Sequence, residues 1–398
     1  MTRLSVKILT GLVFSLAAGL LLVGASRAKL LPAAPDKFTY DWRTYLFAER
    51  APAPRKDIAI ILVDEHSLNG YYYLSPIDRG LLAEVIKSVD EAGAKAIGLD
   101  VVLDRPTEPQ KDKALMEAIK QARATVVLGA HDHRAGETAD ELAYQEKFIA
   151  DTGRTAGHFY FAPEPDEFTL SDQAIRYLLP PSPEPPYRPG LAQALADIDG
   201  KKPAPESSLI YWRLPPSAAG AELFPEFVVP AHRDRDGNQT RPVLPASWKS
   251  ALAGKTVLIG GGFSDRDKHM TPLTVATREA VHGIEIHAQI LAQLLDGRSV
   301  HQIPWWAEFL VAALITGFGI VAAARWTISG SGIISTTIAL VTVVAVGCFL
   351  FWYSSYLLPS ATLFLAWALG LSAGNFGGKA EAWLERKLSS ETEFASGG

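Results

Sequence analysis

DIAIILVD, residues 57–64, is an apolar run rich in branched side chains, of strand length and with an aspartate at each end. It leads through Ser67 and Tyr71 into an amphipathic segment, Asp78 to Glu91. A second run, KAIGLDVV at residues 95–102, is followed by helical spacing over Asp112 to Gln121, and a third, TVVLGA at residues 125–130, continues the series. Strands alternating with helices predict βαβ units, because two parallel neighbours need a crossover long enough to hold a helix. The expected fold class is therefore an α/β domain with a mostly parallel sheet.

Further along, a polar helix is expected near Ala139 to Ile149, with strand-like runs at His158 to Phe161 and Leu209 to Leu214. Between Pro163 and Pro245 lie 16 of the 26 prolines, so regular structure must be interrupted there. Ile210, Tyr211 and Trp212 need burial, which reads this region as loops packed on the domain rather than as a free linker. The domain closes with a strand at Thr256 to Gly260, a turn at Gly260-Gly261-Gly262 and a helix from Gly283 to Leu295.

The apolar residues concentrate at the two ends of the 398-residue chain. Residues 8–26 carry no charge and are long enough to span a hydrocarbon core, following Arg3 and Lys7. Gly24-Ala25-Ser26 also fits a signal-peptide cleavage zone, so a retained anchor, the reading favoured by length, has a cleavable signal as its rival. Three more apolar spans are expected at residues 305–324, 333–353 and 357–376. Trp305 and Trp306 fit interfacial anchors, with Glu308 at headgroup level. The positive-inside rule then places residues 1–7 and the tail 377–398 in the cytoplasm and residues 27–304 outside, with Arg325, Lys379, Arg386 and Lys387 inside. Arg27 and Lys29 fall on the opposite side from that rule, a conflict that a long translocated domain tolerates. The expected location is a bacterial inner membrane, crossed several times, with the large domain in the periplasm or outside. In the tail, Ala380, Leu384 and Leu388 make one side of a juxtamembrane helix apolar, and the composition of Ser389 to Gly398 predicts disorder.

The net charge of −5 gives no basic surface for nucleic acid. Cys348, the only cysteine, lies in an apolar run and cannot form an intrachain disulfide. No GxxxxGK[ST], no GxGxxG leading into a helix, no HExxH and no GxSxG occurs, so no enzyme activity and no cofactor are expected. Asp64, Asp100 and Asp104 fall at or just beyond strand C-termini, where open α/β sheets gather ligand contacts; alternatively each caps the next turn or helix. The three glycines at 260–262, followed by Asp265, Arg266 and Asp267, fit an anion cradle or simply a tight strand exit. His131-Asp132-His133 and the pair His282 and His287 match no metalloenzyme spacing and read as exposed or packing histidines.

Together these stretches resemble the type-two CHASE domain, the extracytoplasmic sensor module of bacterial cyclases and kinases. The resemblance is carried by Asp41-Trp42-Arg43, IAIILVDEHSL at 58–68, SPIDRGLLAEVI at 75–86 and GAKAIGLDVVLDRP at 93–106. It continues in Asp112, GKTVLIGG at 254–261, Asp267, Thr271-Pro272 and GIEIHAQILAQLLDG at 283–297, and covers most of residues 38–300. Tyr71 to Tyr73 departs from the family's usual Gly-Trp-Pro-like approach. The resemblance implies a ligand sensor that signals through the helices after it, with Asp64, Asp100, Arg79 and Asp267 as candidate ligand-binding residues. Residues 377–398 leave no room for a folded effector, which predicts a sensor-like signalling protein without its own catalytic domain. Its expected partners are an extracytoplasmic ligand or protein, a membrane or cytoplasmic signalling protein and the bilayer, with a homo-oligomer allowed. The alternative is a structural or assembly subunit of a membrane complex, for which Gly317 and Gly319, or Gly370 and Gly374, would let helices approach closely.

Overall fold

The computed structural model describes residues 3–32, 34–161, 174–201, 208–233, 238, 243–265, 267–325 and 331–396. It contains two compact units, one of residues Thr44–Val300 and one of Met1–Arg43 with His301–Gly398. The chain runs from α1 (Arg3–Arg27) and α2 (Ala34–Phe47) into β1 (Glu49–Arg50), β2 (Ile58–Val63), α3 (Arg79–Glu91), β3 (Ala96–Asp100) and α4 (Pro109–Gln121). Next come β4 (Thr125–Ala130), α5 (Ala139–Thr152), β5 (Thr155–His158), α6 (Leu191–Asp197), β6 (Arg213–Leu214) and β7 (Glu226–Val228). After α7 (Lys249–Leu252) follow β8 (Thr256–Gly261), β9 (Lys268–His269), β10 (Val281–His282) and α8 (Gly283–Asp296). The last elements are β11 (His301–Gln302), α9 (Trp305–Arg325), α10 (Ser331–Ser354), β12 (Tyr356–Leu357) and α11 (Ser360–Ser396).

The larger unit is built on a six-stranded sheet in the order β5-β4-β3-β8-β2-β7. Every neighbouring pair in it is parallel. All six residues of β2 are buried, as expected for a strand covered on both faces. Residue parity assigns the faces, because successive side chains in a strand point opposite ways. Ile61, Val63, Ile97, Leu99, Val126, Leu128, Val257 and Ile259 share one core with Leu81, Leu82, Val85, Ile86 and Val89 of α3 and with Leu115 and Ile119 of α4. On the other parity Gly98 faces Leu195 of α6, and Gly260 faces Ile284 of α8. Asp100 ends β3 on this second parity.

α3 starts where it does because the Asp78 carboxylate caps it, Oδ1 accepting the Gly80 and Leu81 N–H groups at 2.9 and 3.1 Å. It ends at Ala92, before Gly93 at φ 81°. The strand order reverses the winding: β2 to β5 step across the sheet, the chain then crosses to the far edge at β7, and β8 enters between β2 and β3. That reversal leaves the C-terminal ends of β3 and β8 at the switch point of the sheet.

Several local expectations are corrected. The strand expected at His158 to Phe161 is instead Thr155–His158, since Ala156 and His158 pair in register with β4 while Phe159 to Phe161 leave the sheet. Gly260 and Gly261 lie within β8 rather than in a turn, opposite Leu62 and Val63. α6 and the edge strand β7 occupy the proline-rich stretch, where loops were expected. The tail expected to be disordered is helical through Ser396, since residues 379–396 hold no Gly or Pro and are rich in Ala, Glu, Leu and Lys.

Among the described residues three helices are long and apolar enough to cross a membrane: Lys7–Arg27, Trp305–Ala323 and Thr337–Ser354. The run at 357–376 begins in β12 and continues from Ser360 in α11, which is not one of these three. Small residues set the helix contacts: a Cβ on Gly19 would meet Ala313, and one on Gly319 would stand 3.0 Å from the Gly370 Cα. Gly374 packs against Ile320, whereas Gly317 faces Ser15. Glu308 is 1% exposed and is paired with Arg27 at 3.0 Å, with Thr362 Oγ1 donating to it at 3.1 Å. It is therefore a buried partner rather than only a headgroup residue, while Trp305 and Trp306 are exposed.

Candidate functional site

At the C-terminal end of β3 the Asp100 side chain projects toward the α8 face. Its register partner on β8 is Gly260, where a Cβ would stand 2.8 Å from Ile284 Cδ1 and 3.3 Å from Asp100 Cβ. Glycine there lets α8 and the aspartate share one crevice. His287, in the second turn of α8, brings Nε2 to 4.0 Å from Asp100 Oδ1. That nitrogen is buried and has no hydrogen-bond partner among the described residues. The other side of the ring is held by the backbone of Phe159, and Phe161 packs on it with centroids 4.5 Å apart.

Asp267 arrives from the turn before β9, in left-handed backbone at φ 51°. Its carbonyl accepts the Gly283 N–H at 3.0 Å, and its carboxylate lies over Gly283 Cα, so a Cβ there would be 2.8 Å from Oδ1. The carboxylate thus sits at the N-terminus of α8, where backbone N–H groups favour negative charge. His269 Nε2–H donates to Asp267 Oδ1 at 3.1 Å, and its ring stands 5.3 Å from Phe161. The antiparallel pairing of β9 with β10 holds these residues beside the start of α8.

Electrostatics tie the pairs together. Burial, and then the charge of Asp267, push the Asp100 carboxyl well above the ordinary carboxylate range. Burial drives His287 down to about 3, opposed in part by Asp267. Near neutral pH His287 is therefore a neutral imidazole beside Asp100.

The other two candidates are engaged elsewhere. Asp64 closes its own turn, Oδ1 accepting the Ser67 N–H at 2.7 Å, while the one Ser67 hydroxyl proton lies between Asp64 Oδ1 and the Val229 carbonyl, whose oxygens stand 2.7 and 2.6 Å from Oγ. With β8 between their strands, Asp64 and Asp100 start about 10 Å apart at the backbone. Arg79 is 1% exposed; it donates to Asp112 Oδ1 at 2.8 Å, to Tyr144 Oη at 2.9 Å and to the Arg105 carbonyl. It lies over the Tyr144 and Phe148 rings as well. Both are structural ties in this geometry.

Asp104 forms a second acidic cluster with Glu137 and Glu141. The Arg105 guanidinium occupies it, donating to Asp104 at 2.7 and 2.9 Å and to Glu141 at 2.9 Å. That hydrogen bond is the main reason the Asp104 carboxyl is held below its usual range. Of the flagged histidines, His131 stands 3.4 Å from Glu137, and His282 offers its backbone N–H to Glu285 at 3.2 Å at the start of α8. At the suggested anion cradle, Gly260 and Gly261 are strand and Gly262 follows it, and Arg266 lies outside the described residues. Asp100 is legible as a strand-end candidate and His287 as a histidine within the apolar stretch of α8, but their encounter is not. His269 carried no sequence signal.

The CHASE2 domain family matches residues 13–324. The chain belongs to the CHASE2 family. No match to a curated protein or to a solved structure was found. CHASE2 is a sensor-type extracytoplasmic domain, which is consistent with a sensory signalling role and, together with the long apolar helices, with a membrane protein.

Proposed function

We propose that this CHASE2 chain is a non-enzymatic membrane sensor in which residues 27–304, which hold the α/β unit, lie outside the cytoplasmic membrane of a bacterium. It takes its ligand at the C-terminal edge of β3 and β8 and passes the change through α8 toward the membrane helices and a signalling partner. The observation that supports this reading most directly is the unpartnered Nε2 of His287 beside Asp100, because His287 belongs to the helix that precedes α9 in sequence. A ligand acting on that nitrogen acts on α8 itself. In this reading residues 357–376 supply a fourth membrane span.

Two measurements test it on the full chain. In a Cys348→Ser background, cysteine placed at the fully exposed Tyr72 should react with a membrane-impermeant maleimide in intact spheroplasts. Labelling only after lysis overturns the topology. Asp100→Asn replaces the buried acid beside His287 and should alter amide exchange over residues 283–304 in the detergent-solubilised protein. Identical exchange in variant and wild type would overturn the coupling through α8.

A further inference from the structure

α2 carries two stripes of different character. Asp36, Thr39 and Arg43 share one side at helical spacing and meet the start of α11. Asp36 Oδ1 accepts the Ala361 N–H at 3.0 Å, and Thr39 Oγ1 stands 2.9 Å from Ser360 Oγ. Arg43 donates to the Leu358 carbonyl at 3.1 Å and to Ser360 Oγ at 3.0 Å, which lets its guanidinium be buried there. Phe38, Trp42 and Leu46 recur at every fourth residue and make the second stripe. Phe38 is 41% and Leu46 58% exposed, and the ring of half-buried Trp42 lies 6.3 Å from that of Phe38. Leu30, between α1 and α2, is exposed as well.

The level at which α2 sits on α10 identifies what covers this stripe. Tyr40 packs edge-on against Phe351 with ring centroids 6.3 Å apart, and a Cβ added at Gly347 would stand 2.5 Å from Arg43 Nη2. Both α10 residues belong to the membrane-length apolar stretch Thr337–Ser354. Gly347 lies about 10 Å along the helix axis before the end of α10 at Ser354. α2 therefore flanks the last two turns of α10 rather than lying beyond them. At the same level Phe349, Trp352 and Tyr353 are exposed and in mutual ring contact, as in the aromatic belt of a membrane boundary. The 14 residues of α2 are too few to cross a hydrocarbon core, which takes about 20. A short helix at that boundary with one exposed apolar stripe matches an interfacial helix.

We propose that α2 is an interfacial helix whose Phe38, Trp42 and Leu46 stripe is seated among the acyl chains of the outer leaflet, while Asp36 and Arg43 clamp the start of α11. The bilayer is then a direct partner of α2. The inference rests on the membrane topology of the sensor reading and not on its ligand edge.

It is tested on the full chain carrying Cys348→Ser, in nanodiscs of phosphatidylethanolamine and phosphatidylglycerol, with one nitroxide attached at Phe38→Cys, Leu46→Cys, Val341→Cys or Tyr72→Cys. Relaxation of the label by O2, which concentrates among acyl chains, is compared with relaxation by a water-soluble nickel chelate. Val341, exposed within α10, calibrates the bilayer, and fully exposed Tyr72 calibrates water. At positions 38 and 46 the O2-to-nickel ratio should be several-fold above that at Tyr72, with the labels about 5–10 Å below the headgroups. A ratio equal to that at Tyr72 overturns the inference. So does protection from both reagents, which would mean cover by protein, or spin–spin broadening, which would mean cover by a second copy of this chain. A bilayer signal at Val341 with water at 38 and 46 sinks the interfacial helix and leaves the membrane topology standing. Nickel access at Val341 as well would sink both.

Discussion

Arg79 Nη1 lies 2.8 Å from Asp112 Oδ1, joining the first turn of α3 to the first turn of α4 beneath the Tyr144 and Phe148 rings. The family resemblance marks this arginine as a ligand candidate, but its guanidinium is consumed by Asp112, Tyr144 and the Arg105 carbonyl. Arg79→Met should cost about 3–5 kcal/mol, the usual penalty for breaking a buried pair from one side. Thr107 still donates to Asp112 through its N–H and hydroxyl, which favours the lower end of that range. Urea unfolding checks this, and an unchanged midpoint would exclude a structural role.

Two glycines on the α6 face should respond differently to a methyl group. At Gly98 an added Cβ would meet the Leu195 and Leu258 methyls at 2.6 and 2.7 Å, and these are side-chain ends that can shift. At Gly157 it would meet Leu191 Cα and N at 2.7 and 2.8 Å, backbone that cannot move without displacing α6. Gly98→Ala should therefore cost about 1–3 kcal/mol, and Gly157→Ala more than that. Thermal melts of the two variants rank them. The reverse order would mean that α6 slides on the sheet more easily than Leu195 and Leu258 repack.

Glu226 gives a pH dependence with a definite sign. Burial, then the charges of Glu285 and Glu222, raise its carboxyl to about 8. The folded state thus binds a proton that the unfolded chain releases near its ordinary value of 4.5. Stability from this group is complete below the unfolded value and falls as pH rises through the interval to about 8. Glu226→Gln should accordingly raise Tm at about pH 8.5 and change it little at about pH 5. An equal gain at both values would mean that the carboxylate is not strained by its neighbours.

The parts of the fold legible in the sequence were those fixed by local pattern. Asp57 to Asp64 and Lys95 to Val102 are apolar enough to announce buried parallel strands, and Asp78 announces its helix through the cap it makes. β7 was not legible because its three residues are strand only by pairing with β2, far away in sequence and flanked by Pro225 and Pro230. α6 was missed since Leu191 to Ala196 is buried all round and therefore lacks a helical stripe. Gly260 read as a turn because its reason, the approach of Ile284 and Asp100, is tertiary. The site followed the same rule: Asp100 could be placed at a strand end, while its encounter with His287 depends on β8 entering the sheet between β2 and β3.

His158, at the end of β5, should set part of the acid limit of stability. It is 3% exposed, its Nε2 lies 3.1 Å from the Pro180 carbonyl, and Nδ1 has no partner among the described residues. Burial, then the charge of Arg134, lowers it to about 4, with Asp132 opposing. The Arg134 guanidinium is itself anchored on Asp132, Nε donating to both carboxylate oxygens, so its charge stays beside the ring. Between pH 6.5 and about 4 the unfolded chain takes up a proton that the folded state refuses, and stability drops as the solution is acidified through that window. The loss from this one group amounts to about 3 kcal/mol at the acid end. His158→Gln should flatten the decline in Tm between about pH 7 and pH 4.5 while retaining a donor for Pro180. A variant that declines as steeply as the wild type would assign the acid sensitivity to other groups.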